Sequence, residues 1–333
     1  MLRYVVRRLL YMVFVLWIIS VVTFVMFFMI GNDPAQLAMP RGSTPQALEQ
    51  VRERMGLNEP KHMQYWHFLT RGPCTPECRG LMRWPPSFGY SFKNDEPVLD
   101  IILDRAPVTA SLAFGAAFFW LLMGVPVGIL AATKPRSIRD RVATTIALTG
   151  VSMPSFFLGL IVLYVFFYKL SQTGLRINGN VVFPTGYYPF RDNPLIWAQH
   201  LAMPWFTLAT VYAAYYSRMV RGSLLEVLGE DYIRTARAKG LSERRVTYRH
   251  GLRAALTPVV TLLGLDLGGL LGGAVISEKI FTLPGLGSQL ITSLESDLPV
   301  IVGIVMFASF FIVMANIIVD VVYAALDPRV RLG

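Results

Sequence analysis

Apolar runs long enough to cross a membrane break up this chain, and they limit its fold more than any other feature. Arg3, Arg7 and Arg8 precede a run from Leu9 to Ile30, and about 20 apolar residues in a helix span a hydrocarbon core of roughly 30 Å. Further runs cover about Pro107 to Ala132, Val142 to Tyr168, Leu195 to Tyr216, Leu256 to Ile280 and Leu298 to Ala325. In hydrocarbon each backbone N–H and C=O needs a partner within the segment, so every run is expected to be a helix. Six of them make an all-α integral membrane protein. Composition agrees, with 54% of residues hydrophobic and only 16% charged, well outside the range of soluble domains. Phe27, Phe28 and Met29 close the first run where a signal peptide would carry small residues, so an uncleaved first helix is expected.

The net charge of +10 could suggest nucleic acid as a partner. Its distribution excludes that reading and points to membrane lipid instead, because the bases cluster in short loops between apolar runs. One side collects Arg3, Arg7 and Arg8, then Lys134, Arg136, Arg139 and Arg141, then nine bases between Arg218 and Arg253, then Arg329 and Arg331. The short loops of the other side hold Lys169, Arg176, Arg191 and Lys279. By the positive-inside rule both termini are expected in the cytoplasm. Residues 1–30 then form the N-terminus and first helix, and 31–106 an extracytoplasmic subdomain between helices 1 and 2. Residues 107–325 form the core with helices 2–6, and 326–333 a cytoplasmic tail.

The chain shows no chemistry of its own: no CxxC pair, Walker-type glycine loop or His-Glu zinc motif occurs. No catalytic residue, cofactor or metal is therefore expected in it. His62, His67, His200 and His250 are scattered over different segments. Cys74 and Cys78, the two cysteines, share one polar stretch on the expected outer side. There a disulfide fits better than a metal site, because no clustered histidine completes a ligand set.

The most polar span of the second half runs from Arg218 to Pro258. It reads as two short helices around a sharp turn, a loop over 218–255. Glu230 and Arg234 are spaced for an ion pair on one helical face. Gly240 is placed to end the first helix in a left-handed conformation, Leu241 to pack back on it, and Ser242 to cap the next. DYIRTARAKGLS and RHGLRAALTPVVT in this loop resemble the "EAA" cytoplasmic loop of binding-protein-dependent ABC importer permeases, in its oligopeptide, dipeptide and nickel version. Arg234, Thr235 and Ala236 stand where the general pattern has Glu-Ala-Ala, and Gly240 is in register. Elsewhere MGLNEP, QYWHF, DEPVLDIILDRAPVT, SMPSFFLGL, EKIFTLPGLG and DPRVRLG follow the same family's order. The family's Gly-Asp before Gly89 is lost, and PCTPECRGLMRWPP is inserted just before that point.

The resemblance implies a six-helix, type I ABC importer permease fold and the first (B-type) permease subunit of a bacterial inner-membrane transporter. It implies ATP-driven import of di- or oligopeptides by alternating access, with nickel or another small solute as the alternative. The implied partners are a second homologous permease subunit, two ATPase domains carrying ATP and Mg, and an extracytoplasmic substrate-binding protein. Asp231, Tyr232, Arg234, Thr235, Ala236, Arg237, Ala238, Lys239, Gly240 and Leu241 would form the coupling helix seated in a groove of the ATPase. A secondary transporter would need no such knob, and paired ionisable groups at mid-membrane would be expected instead.

Two features mark the candidate pathway. Pro154, with Ser152 beside it in SMPSFFLGL, is expected to kink the third span. Gly264, Gly268 and Gly272 form a ladder on the fifth, and Asp266 falls on the opposite side near Gly269 and Gly273. A carboxylate at that depth is costly unless it is paired or wet. It either faces an aqueous path and attracts the amino end of a peptide, or it is fixed by an ion pair or hydrogen bond to a neighbouring helix.

Overall fold

The computed structural model describes residues 2–30, 33–37, 39, 42–54, 56–70, 88–94, 96–174, 176–177, 180–294 and 297–326. The helices in chain order are α1 (Leu2–Phe24, continued by a π-helical turn over Val25–Ile30), α2 (Pro34–Leu37), α3 (Pro45–Arg54), α4 (Lys61–Thr70), α5 (Val98–Thr133) and α6 (Ile138–Ser152). Then come α7 (Ser155–Val162, continued by a π-helical turn over Leu163–Lys169), α8 (Leu170–Gln172), α9 (Pro194–Leu228), α10 (Asp231–Ala238) and α11 (Glu243–Arg245, continued by a third π-helical stretch over Val246–Gly251). The chain ends through α12 (Leu252–Ala255), α13 (Thr257–Leu271), α14 (Val275–Ile280), α15 (Leu286–Ser293) and α16 (Leu298–Leu326). A two-residue antiparallel ladder, β1 (Arg176–Ile177) with β2 (Asn180–Val181), pairs Arg176 with Val181.

Among the described residues four helical stretches are long and apolar enough to cross a membrane: Leu10–Ile30, Val98–Thr133, Ser155–Gln172 and Leu298–Val319. The pair Glu243–Ala255 and Thr257–Leu271, bent by 44°, makes a fifth if counted as one span. The expected fourth span lies within α9 and is not in that set. Its apolar residues alternate with Gln199, His200, Thr207, Thr210 and Ser217, and much of its length is buried in protein, where it needs no lipid-facing apolarity. Asn193 caps α9, its side-chain oxygen accepting the N–H groups of Leu195 at 3.0 Å and Ile196 at 3.3 Å, and Pro194 occupies the first turn, where its missing N–H costs nothing.

Three boundaries differ from expectation. α5 starts at Val98 rather than near Pro107, because Val98, Ile101 and Ile102 are buried with Leu286, Val300 and Ile304 in one cluster. The third span is broken rather than kinked. Met153 is extended (φ −84°, ψ 123°), and Pro154, which cannot donate to a preceding carbonyl, opens α7. The fifth span stops at Leu271, because Gly273 takes φ +125° and its α-carbon face meets the Gly287 backbone, 2.7 Å from where a Cβ would stand. Only glycine fits such a turn.

The contacts divide the chain into two compact units. The first comprises residues 1–109, 268–275 and 284–317. Besides the Val98 cluster, it holds a second core of Phe24, Phe68, Leu69, Leu298 and Val302, which ties α1 to α4 and α16. The carboxylate of Asp297, just before α16, accepts the Ser91 hydroxyl and, at 3.0 Å, the Phe92 N–H. The second unit comprises 110–267, 276–283 and 318–333. It is built around α9, against which α5, α6 and α7 pack; Trp120 of α5 lies stacked on Tyr212 of α9 with ring centroids 4.5 Å apart.

Candidate functional site

Of the expected 218–255 loop, residues 218–228 continue α9, and the remainder folds as a knob at its end. Glu230 is extended (φ −69°, ψ 152°), so α10 begins at Asp231. That removes Glu230 from the helical face it was expected to share with Arg234; Arg234 pairs instead with Asp231, Nη1 to Oδ1 at 3.3 Å. At the other end Gly240 has φ +76°. Its N–H donates to the Arg237 carbonyl at 2.9 Å, and the Leu241 N–H reaches back to the Ala236 carbonyl at 3.3 Å. This pair of bonds is the Schellman closure, which satisfies carbonyls that a helix end otherwise leaves open. Leu241 then packs on Ile233, Ala236 and Val246, together with Leu228 from α9. Burying Ile233 and Val246 contributes about 1.5–3 kcal/mol each, which is what holds a helix too short to persist alone. Ser242 sits at the next N-cap as expected, although its side chain makes no capping bond.

The knob therefore has an inside and an outside. Ala236 is buried and belongs to its core. Arg237 is exposed and braces the turn from outside, its Nε donating to Glu243 at 2.8 Å and its Nη1 to the Leu228 carbonyl at 3.4 Å. Asp231, Tyr232, Arg234, Thr235, Ala238 and Lys239 present the exposed face. Desolvation, followed by the charge of Glu230, pushes the Tyr232 phenol above its ordinary pKa.

Of the candidate pathway residues, Asp266 is held within its own unit: its Oδ2 accepts the hydroxyl of the fully buried Tyr216 at 2.7 Å. Gly269 faces open space, whereas Gly273 forms the turn described above. Ser152 donates its hydroxyl back to the Leu148 carbonyl at 2.8 Å, and Pro154 opens α7. Cys74 and Cys78 lie outside the described residues. His67 contacts Glu59 at 2.9 Å and His200 points Nδ1 at the Thr185 and Gly186 carbonyls; among the described residues no cluster could hold a metal ion. One ion pair, with a buried carboxylate and a half-buried arginine, carries no signal in the sequence. Asp140 and Arg221, 81 positions apart, join α6 to the knob end of α9.

Residues 124–332 match the family described as binding-protein-dependent transport system inner membrane component, and residues 1–113 match its N-terminal companion. The glutathione transport system permease protein GsiC of Escherichia coli strain K12 is 38% identical over 335 residues, 99% of each chain. The GsiC of Shigella dysenteriae serotype 1 shows the same 38% and coverage. Among solved structures, the inward-facing MetNI methionine ABC transporter superposes with a TM-score of 0.53 at 20% identity, covering 69% of this chain and 97% of that one. At that identity the likeness concerns the fold.

Proposed function

Because this chain belongs to the family of binding-protein-dependent transport system inner membrane components, and is thus a transmembrane permease of an ATP-driven importer, we propose that its cargo is a short peptide. The observation that carries the proposal is end-to-end similarity to a permease named for glutathione, itself a peptide. In this reading both termini are cytoplasmic. A second homologous permease subunit completes the membrane body, two ATPase domains supply ATP and Mg chemistry, and an extracytoplasmic binding protein delivers the peptide.

The knob is the element that meets the ATPase. Rigidity supports that role: a force applied to the exposed face of Tyr232, Arg234, Thr235 and Lys239 is passed to α9 through the Ile233, Val246 and Leu228 packing rather than absorbed by a loop. Closure of the ATPases on ATP would move the knob and open the pathway outward; hydrolysis would return it. Asp266 is the one acid proposed for the pathway, with Gly269, Gly273, Ser152 and Pro154 at points where helices end or leave space. Purification of the tagged chain from its own membranes tests the assembly. ATPase subunits and a peptide-loaded binding protein should accompany it. A chain that purifies without ATPases, or with a binding protein loaded with nickel, would overturn the assembly or the cargo respectively.

A further inference from the structure

Asp140 sits in the first turn of α6 and Arg221 on α9, about two turns before the knob. The Asp140 carboxylate is buried at 5% exposure and receives four donors. Oδ1 accepts Arg221 Nε at 2.6 Å and the Thr144 hydroxyl at 3.4 Å; Oδ2 accepts Arg221 Nη2 at 2.8 Å and the Arg136 N–H at 2.8 Å. Arg136 reaches this position with φ +64°, a conformation that non-glycine residues adopt at a cost and keep only where the surroundings hold them. The guanidinium hydrogen bonds, then the Arg136 N–H, hold the Asp140 carboxyl well below the usual carboxylate range, so the pair is charged at any working pH.

Toward the far end of α6, small side chains meet α9: a Cβ on Gly150 would stand 2.9 Å from that of Ala214. Small apolar faces can slide, whereas a two-pronged arginine–carboxylate contact fixes both rotation and register. Toward the knob, Leu224 and Leu228 both pack on Gly251, 3.3 Å from its Cβ position, and Leu228 joins the knob core. In the other direction α6 runs unbroken to Met153. A packed path thus links the knob, the end of α9, Arg221, Asp140 and the break before α7.

We propose that the Asp140–Arg221 pair is a latch that makes α6 move with the knob end of α9, delivering ATPase-driven displacement to the Met153–Pro154 break. Both are positioning residues, and the inference rests on the reading of the knob as the ATPase contact. Opposed charges suit this task because losing Arg221 strands the Asp140 carboxylate in a nearly dry site. Arg221→Lys keeps the charge but loses the fork, so it should weaken the latch without removing it.

The test uses the full transporter in vesicles, with Asp140→Asn, Arg221→Met and Arg221→Lys compared for ATPase retention, hydrolysis rate and peptide uptake per ATP. The expected result is wild-type retention, continued hydrolysis and uptake per ATP reduced about fivefold or more in Asp140→Asn and Arg221→Met, with Arg221→Lys between them and the wild type. Unchanged uptake per ATP would overturn the latch. So would loss of ATPase subunits in step with uptake, which would reduce the pair to a support of the knob's fold. Should Asp140→Asn fail to insert, Arg221→Lys decides alone: normal uptake per ATP with full retention removes the latch. A wild-type complex with no ATP-dependent uptake would instead overturn the functional reading itself, and the latch with it.

Discussion

Replacing Gly240 tests the knob at its turn, and the structure fixes the size of the effect. At φ +76° an added Cβ meets nothing within 4 Å, so crowding contributes nothing and the cost is all backbone. A left-handed L-residue costs roughly 1–2 kcal/mol, and asparagine less because it tolerates that region. The chain could relieve the strain only by giving up the Gly240 and Leu241 closure bonds, each with a net contribution of about 0.5–1.5 kcal/mol, and the Leu241 contact with the knob core. Staying strained costs no more than that, so a substituted knob remains mostly folded but its ordered state loses about 1–2 kcal/mol. That corresponds to roughly a 5–30-fold smaller population relative to disordered forms. Docking that requires the ordered knob should weaken in the order Asn, Ala, Val. The assay is retention of ATPase subunits during purification, with substrate-stimulated hydrolysis in vesicles as the second readout. Wild-type retention and coupling in Gly240→Val, or the same loss in Asn as in Val, would refute the argument from the turn.

Asp266→Asn keeps an oxygen to accept the Tyr216 hydroxyl, so assembly should survive while peptide uptake falls; normal uptake in that variant would remove Asp266 from the pathway. Asp266→Ala leaves the buried hydroxyl unpaired at about 1–3 kcal/mol, and should show as lowered thermal stability of the purified complex. Gly115→Ala would place a Cβ 2.1 Å from the Trp205 ring, which cannot swing aside because its Nε1 donates to the Ser111 carbonyl at 3.0 Å. A loss of about 1–3 kcal/mol follows, read as a lower melting temperature in detergent; an unchanged Tm would contradict that packing. Cys74 and Cys78 should be bridged on the outer side, and thiol labelling of freshly purified, unreduced protein should find no free thiol, whereas labelling of both would reject the bridge.

What could be read from the sequence was what local spacing encodes. Gly240 after an Ala- and Arg-rich run identified the left-handed stop, and Leu241 and Ser242 fell where a capped turn puts them. Apolar runs located α1, α5 and α16 because lipid selects on composition. The same logic failed for helix breaks. Pro154 removes one N–H in either a kink or a stop, and what decides between them is the extended Met153. Gly273 was placed on the helix with Asp266 and Gly269, opposite the ladder, yet the close approach of Gly287 makes it a corner. α5 was read too short because its first turns are held by the burial of Val98, Ile101 and Ile102 against Leu286, Val300 and Ile304. The Arg234 pairing went to Asp231 because the helix starts one residue after Glu230. Asp140 and Arg221 had no local signal at all, being a contact made by folding.

The central claim is that this chain opens a path for short peptides on energy supplied by a partner ATPase. Its most direct test is uptake of a labelled tripeptide by vesicles carrying the purified complex and its binding protein, with ATP and Mg supplied on the knob side. The account predicts accumulation that requires ATP and the binding protein, and that persists when proton and sodium gradients are collapsed. Uptake that ignores ATP and follows an ion gradient would contradict it.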